Sequence, residues 1–137
     1  MDKKRLLRVL DANFNRSKEA LRVIEDIFRF VSENDTLRKK ARHLRHSLDK
    51  ITKNKLFLEA VSSRNSVYDL GKKTDVLELN RETSRDILYA NLQRAKESVR
   101  VLEEFFKIIS PHRVKLLKKI RYDIYSLEKN VYTFKEG

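Results

Sequence analysis

With 137 residues, 38% of them charged and only two Gly and one Pro, the chain reads as one helix-rich domain, long enough to bury an ordinary core. Having no Cys, it excludes disulfides, thiolate catalysis and Cys-based metal sites. The net charge of +12 is spread over both halves, which excludes a basic tail and favours anionic partners: phosphorylated metabolites, nucleic acid or an acidic protein.

The opening Met1-Asp2-Lys3-Lys4-Arg5-Leu6-Leu7 lacks the apolar run of a signal peptide, and no segment is long enough to span a bilayer. A cytoplasmic protein without a membrane partner is expected. The first periodic segment predicts a helix from about Lys4 to Val31, with Leu6, Leu10, Ala20, Leu21, Ile24, Ile27, Phe28 and Val31 on its inner face. Ser32 to Asp35 supply a turn. Asp35 or Thr36 is the expected cap of a second helix, buried through Leu37, Ala41, Leu44, Leu48 and Ile51. Residues 61–80 break the periodicity and read as a long loop of the kind that carries function.

A third helix is expected from about Arg81 to Ile109, through Ile87, Leu88, Ala95, Val99, Leu102, Phe105 and Phe106. Ser110-Pro111 then fits an N-cap followed by proline at the first helical position. The last helix uses Leu117, Ile120, Ile124, Leu127 and Val131. Exposed apolar positions such as Leu7 and Phe57 leave a homo-oligomer open.

The second half copies the first. Ala12 to Asp26 returns as Ala90 to Glu104, an offset of 78 residues, and Leu44-Arg45-His46-Ser47-Leu48 is echoed by Ile120-Arg121-Tyr122-Asp123-Ile124 at an offset of 76. Matching apolar positions follow from any shared helical pattern; matching Asn, Arg and Glu do not. The expected architecture is an all-α antiparallel four-helix bundle built from two duplicated helical hairpins, repeat one about 1–60 and repeat two about 81–137, joined by a long central loop about 61–80.

At about 100° per residue, Asn13 and its copy Asn91 fall inside the apolar stripe, Arg16 and Arg94 at its edge, and Glu19 and Glu97 further round. An unpaired buried amide costs on the order of 1–3 kcal/mol, so each Asn needs a partner. The modest reading is that these residues satisfy a neighbouring helix and that Arg22, Glu25, Arg100 and Glu103 are ordinary surface pairs. The functional reading is a polar pocket lined by the Asn-Arg-Glu sets, with positive charge from Arg45 and Arg121; arginine grips phosphate oxygens bidentately. His43, His46 and His112 lack the Glu-x-x-His spacing of a di-iron bundle, and Gly71-Lys72-Lys73-Thr74 lacks the first glycine and the preceding strand of a P-loop. Nucleic-acid binding is disfavoured, because no reader signature accompanies the charge.

Leu10-Asp11-Ala12-Asn13-Phe14-Asn15-Arg16 with Glu19 to Asp26, Leu44-Arg45-His46, the Arg64 to Gly71 loop, Ala90 to Arg94 with Glu97 and Arg100 to Glu104, and Ile120-Arg121-Tyr122 together resemble the small noncanonical hydroxymethylpyrimidine phosphate kinases. That family occurs alone or fused ahead of thiamine-phosphate synthase, and the resemblance spans nearly the whole chain. It implies ATP-dependent phosphorylation of 4-amino-5-hydroxymethyl-2-methylpyrimidine phosphate, assisted by Mg²⁺, with a functional link to thiamine-phosphate synthase. Under it, Arg16, Arg94, Arg45 and Arg121 clamp phosphates, with Arg16, Arg94, Glu19 and Glu97 as the catalytic set. Asn13 and Asn91 hold phosphate oxygens or the aminopyrimidine edge. Glu19, Glu97 or Asp69 serve Mg²⁺, and Arg64, Asp69 and Gly71 close over the substrates. One departure is Asn65, where Asp is expected; a metal-binding duty there would pass to Asp69 or another acid. The alternatives are a basic helical module that binds nucleic acid without catalysis and a helical interaction protein.

Overall fold

The computed structural model describes residues 2–52, 55–71 and 83–133, and among them every regular element is helical. Helix α1 (Lys3–Asp26) begins at Asp2, whose carboxylate accepts from the Lys4 N–H at 3.0 Å. It ends earlier than periodicity suggests. From Ile27 to Val31 the chain widens into a π turn, which adds a residue to the turn and rotates its far end off the stripe. Val31, expected inside, is therefore exposed.

The reversal is completed by Glu33 in the left-handed region (φ 49°) and by the Asn34 N–H donating to the Phe28 carbonyl at 2.8 Å. Helix α2 (Asp35–Thr52) is capped by Asn34, whose Oδ1 accepts from the Leu37 N–H at 3.1 Å, instead of by the expected Asp35 or Thr36 that follow it. Its buried face is the expected one, Leu37, Ala41, Leu44, Leu48 and Ile51.

A short helix, α3 (Lys55–Ser62), packs on α1 through buried Ala60 and half-buried Leu56, so irregular chain begins only after Ser62. The part of the expected loop at 72–80 lies outside the described residues, as does the expected start at Arg81. Helix α4 (Ser84–Ile109) opens with a capping box in which Thr83 and Asp86 satisfy each other's backbone N–H groups. After α4, Pro111–Arg113 form a 3₁₀ turn with proline at its start, and Ser110 makes no side-chain cap; its Oγ lies 3.2 Å from His112 Nδ1 instead. Helix α5 (Val114–Thr133) buries Leu117, Ile120, Ile124 and Leu127.

The two helices that carry the repeated motif, α1 and α4, share the most extensive packing, with the Phe14 and Phe106 rings 5.8 Å apart. Helix α2 packs on α1, α5 packs on α4, and α2 touches α5. No helix among the described residues is long and apolar enough to cross a membrane. Leu7 is buried rather than exposed, and Phe57 is half-buried with the Lys18 ammonium 5.3 Å from its ring centre, so neither forms a free apolar patch.

Candidate functional site

Helix α1 turns Asn13 into the protein. Its Nδ2 donates to the Val9 carbonyl at 2.9 Å, and Asn91 does the same to Ile87, so both amides are partly satisfied within their own helix. The Asn13 Oδ1 remains for Arg16, whose Nη1 lies 3.5 Å away. This contact holds the guanidinium over a cavity of about 590 Å³. Arg5, Arg8, Asn13 and Arg16 form its α1 wall; Arg64, Asn65, Ser66 and Asp69 form the wall after α3; Val101 of α4 also lines it. Asn13, Arg16, Arg64 and Asp69, scattered in sequence, thus meet at one place.

Asp11 fixes the loop there. Buried in α1, it accepts two hydrogen bonds from Arg64, from Nε at 2.7 Å and from Nη2 at 2.7 Å, and lies 3.4 Å from the Asn15 amide. The bidentate pair pins the segment after α3 onto α1 and raises the Arg64 guanidinium above its ordinary value, chiefly through those hydrogen bonds. Within the loop, Asp69 Oδ1 accepts from the Gly71 N–H at 2.9 Å and Asn65 Oδ1 from the Tyr68 N–H at 3.2 Å. Gly71 has no positive φ, so its contribution is that donor rather than an unusual backbone conformation.

The profile of the ThiD2 family matches residues 8–130. The chain belongs to the ThiD2 family. It is 37% identical over 125 residues to the thiamine-phosphate synthase of Nostoc punctiforme, covering 90% of this chain and 34% of that protein. The corresponding protein of a Synechocystis strain is 37% identical over 124 residues, covering 90% and 35%. That of Prochlorococcus marinus strain AS9601 is 36% identical over 132 residues, covering 95% and 36%. This ThiD2 chain therefore spans about a third of the length of the curated relatives it matches. No solved structure matches it.

The other expected site residues of the ThiD2 chain lie elsewhere. Glu19, Arg94 and Glu97 are exposed on their helices and do not line the cavity with Asp69. Among the described residues no group of three or more His, Asp or Glu stands ready to hold a metal ion. Arg45 and Arg121 do not face Arg16. Each reaches the preceding helix of its own hairpin: Arg45 Nε donates to Glu25 Oε2 at 2.9 Å, and Arg121 forms a two-point pair with Glu103.

Glu25 and Glu103 are 3% and 2% exposed, so they are buried rather than surface acids; the expected Arg22–Glu25 pair is present at 3.7 Å, whereas Arg100 pairs with Glu104 instead of Glu103. Each is buried because an arginine from the next helix covers it. Arg22 and Arg100 do stay on the surface, Arg22 at 3.7 Å from both Glu25 and Asp26 and Arg100 at 3.0 Å from Glu104. Sequence reasoning also missed Asp11, which lies outside the duplicated positions because its copy is Tyr89. The available signal was an acid between Leu10 and Phe14 on a buried stripe.

Proposed function

We propose that this chain transfers the γ-phosphoryl group of ATP to 4-amino-5-hydroxymethyl-2-methylpyrimidine phosphate, giving the diphosphate for thiamine synthesis. We further propose that its helices form an antiparallel four-helix bundle descended from a duplicated hairpin. Membership of the ThiD2 family and the names of the relatives support a role in thiamine biosynthesis. The observation that carries the kinase reading is the cavity where four arginines and Asp69 converge around Asn13.

The chemistry suits that lining. A phosphate monoester has a second pKa near 6 and is largely dianionic at neutral pH. Its oxygen attacks the γ-phosphorus, the bond from that phosphorus to the bridging oxygen breaks, and ADP leaves with the electron pair. No proton has to be removed first, so the site needs no general base. It needs relief of repulsion between two anions and in-line positioning. Arg16, oriented by Asn13, and Arg64, held by Asp11 with Nη1 outside that pair, are placed for the first task. Magnesium takes one or two carboxylates with phosphate oxygens and waters, and Asp69, which no arginine among the described residues engages, fits that donor set. The ion would supply further neutralisation of phosphate charge.

The test is ADP release with ATP, Mg²⁺ and hydroxymethylpyrimidine phosphate, run beside the unphosphorylated alcohol. Turnover of the phosphate alone is expected. Turnover of both would keep the kinase and refute selection by acceptor charge; turnover of neither would favour a binding role. Arg16→Ala is expected to lower turnover at least tenfold with helicity intact. Arg94→Ala asks whether the second copy takes part, and near-wild-type rates in both would sink the phosphate clamp.

A further inference from the structure

Where α1 runs into the π turn, the first hairpin opens a second cavity of about 690 Å³. Asn13 and Glu25 are twelve residues apart on α1, so this cleft lies roughly 18 Å along the helix from the Arg16 cavity. It belongs to a different part of the molecule.

Five arginines line it, Arg22 and Arg29 from one side and Arg38, Arg42 and Arg45 from α2, with His46 beside them. Three carboxylates share it: Glu25, Glu33 and Asp35. Glu25 is occupied by Arg45 at 2.9 Å, and Asp35 by Arg38 at 2.8 Å and Lys39 at 3.2 Å. Arg29 and Arg42 have no ion-pair partner among the described residues; Arg29 rests on the Phe30 ring at 4.8 Å. The cleft therefore keeps surplus guanidinium charge on facing walls.

The second hairpin shows what this arrangement becomes when closed. By position, Arg100, Glu103, Lys107, Lys118 and Arg121 stand where Arg22, Glu25, Arg29, Arg42 and Arg45 stand in the first. There, His46 is replaced by Tyr122 and Asp49 by Tyr125. The two rings lie 5.2 and 5.6 Å from the Arg121 guanidinium carbon, and Arg121 Nη1 donates to Tyr125 Oη at 2.9 Å. Arg100 and Lys107 both pair with Glu104 at 3.0 Å. Among the described residues, no aromatic ring covers Arg45 in this way. The π turn, a device that recurs at functional sites, also occurs only in the first hairpin among the described residues.

We propose that the first-hairpin cleft binds a compact polyphosphate, either an inorganic chain or the phosphate tail of a nucleotide. One phosphate group is saturated by about two bidentate guanidinium groups. Arg29, Arg42 and the outward edges of Arg38 and Arg45 exceed that, which calls for two or more linked phosphates. Glu33 on the rim opposes the ligand and limits its affinity. The site is independent of the kinase reading.

Calorimetric titration of the whole chain with tripolyphosphate, ATP and orthophosphate at fixed low salt tests it. Tripolyphosphate is expected to bind more tightly than orthophosphate. The double variant R29A/R42A, which leaves the Glu25–Arg45 pair untouched, is expected to weaken tripolyphosphate at least tenfold with unchanged helicity. K39A/K40A, on the same helix but outside the cleft, should stay within twofold. Equal affinity for ATP and tripolyphosphate would identify the phosphate chain as the ligand, whereas tighter ATP would identify a nucleotide. Wild-type affinity in R29A/R42A, or an equal loss in K39A/K40A, would overturn the proposal. Cleft binding without kinase turnover would remove the kinase and leave this site standing.

Discussion

The two hairpins place the same glutamate and the same arginine at equivalent positions and then surround them differently. Glu103–Arg121 sits beneath two tyrosine rings, with the arginine side chain 11% exposed; Glu25–Arg45 opens onto the cleft, with the arginine 21% exposed. A buried ion pair recovers its desolvation cost only when its remaining hydrogen-bonding groups are also satisfied. In the second hairpin Tyr125 supplies that satisfaction from within the protein. In the first, the Arg45 side chain meets Glu25 through Nε, and no tyrosine hydroxyl stands in the Tyr125 position, which Asp49 occupies. Each hairpin thus keeps the same polar pair, covered by aromatic rings in the second and open to a cleft in the first.

The sharpest way to break this comparison is Glu103→Ala against Glu25→Ala. Removing Glu103 strands a covered guanidinium and should cost about 3–5 kcal/mol in urea denaturation. Removing Glu25 leaves Arg45 a path to water and should cost less, about 1–3 kcal/mol. Equal losses would mean that the tyrosine cover has no energetic consequence. Next in size, Tyr125→Phe deletes the hydroxyl that accepts from Arg121 and should cost about 0.5–1.5 kcal/mol. The corresponding substitution in the first hairpin, Asp49→Asn, lies outside the cleft lining and should leave its tripolyphosphate affinity within twofold.

Glu33 offers a smaller test in the opposite direction. A non-glycine residue in the left-handed region carries roughly 1–2 kcal/mol of strain, so Glu33→Gly should stabilise the turn, by about 1 kcal/mol once glycine's extra unfolded freedom is counted. It should also tighten tripolyphosphate, since it removes a carboxylate from the rim. The smallest effect is the pH response of Asp35. Its hydrogen bond with Arg38 lowers its pKa from the ordinary 3.8, so its contribution is present above that value and fades as pH falls below it. Amide protection in the first turn of α2 should weaken over that acid range, while the second hairpin, which has Pro111 in place of Asp35, should not follow the same profile.

The inner faces of α2, α4 and α5 were legible because side-chain period maps directly onto a helical stripe. Asn13 inside the stripe was legible for the same reason, and the repeated motif needs only residue identities. The π turn was not, because hydrogen-bond register within a helix leaves apolar spacing almost unchanged over a single turn. Yet a trace existed: the offset between copies falls from 78 at Glu25/Glu103 to 76 at Arg45/Arg121, so the first hairpin's reversal is two residues longer. Helix α3 was missed because eight residues barely exceed two turns, too few to establish a period.

The sequence alone determined that the chain is helical, internally repeated, strongly basic and supplied with Asn and Arg at the boundary of its core. These are properties of local period and of composition, and each is carried by residues near one another in the chain. Only the tertiary structure decided which charges meet. Asp11 and Arg64 are joined across 53 positions, Arg45 covers Glu25 from the next helix, and Arg16 and Arg45 face separate cavities instead of one. A helical wheel describes one helix at a time. Burial of a charge depends on what the neighbouring helix lays over it, and that is settled only when the helices pack.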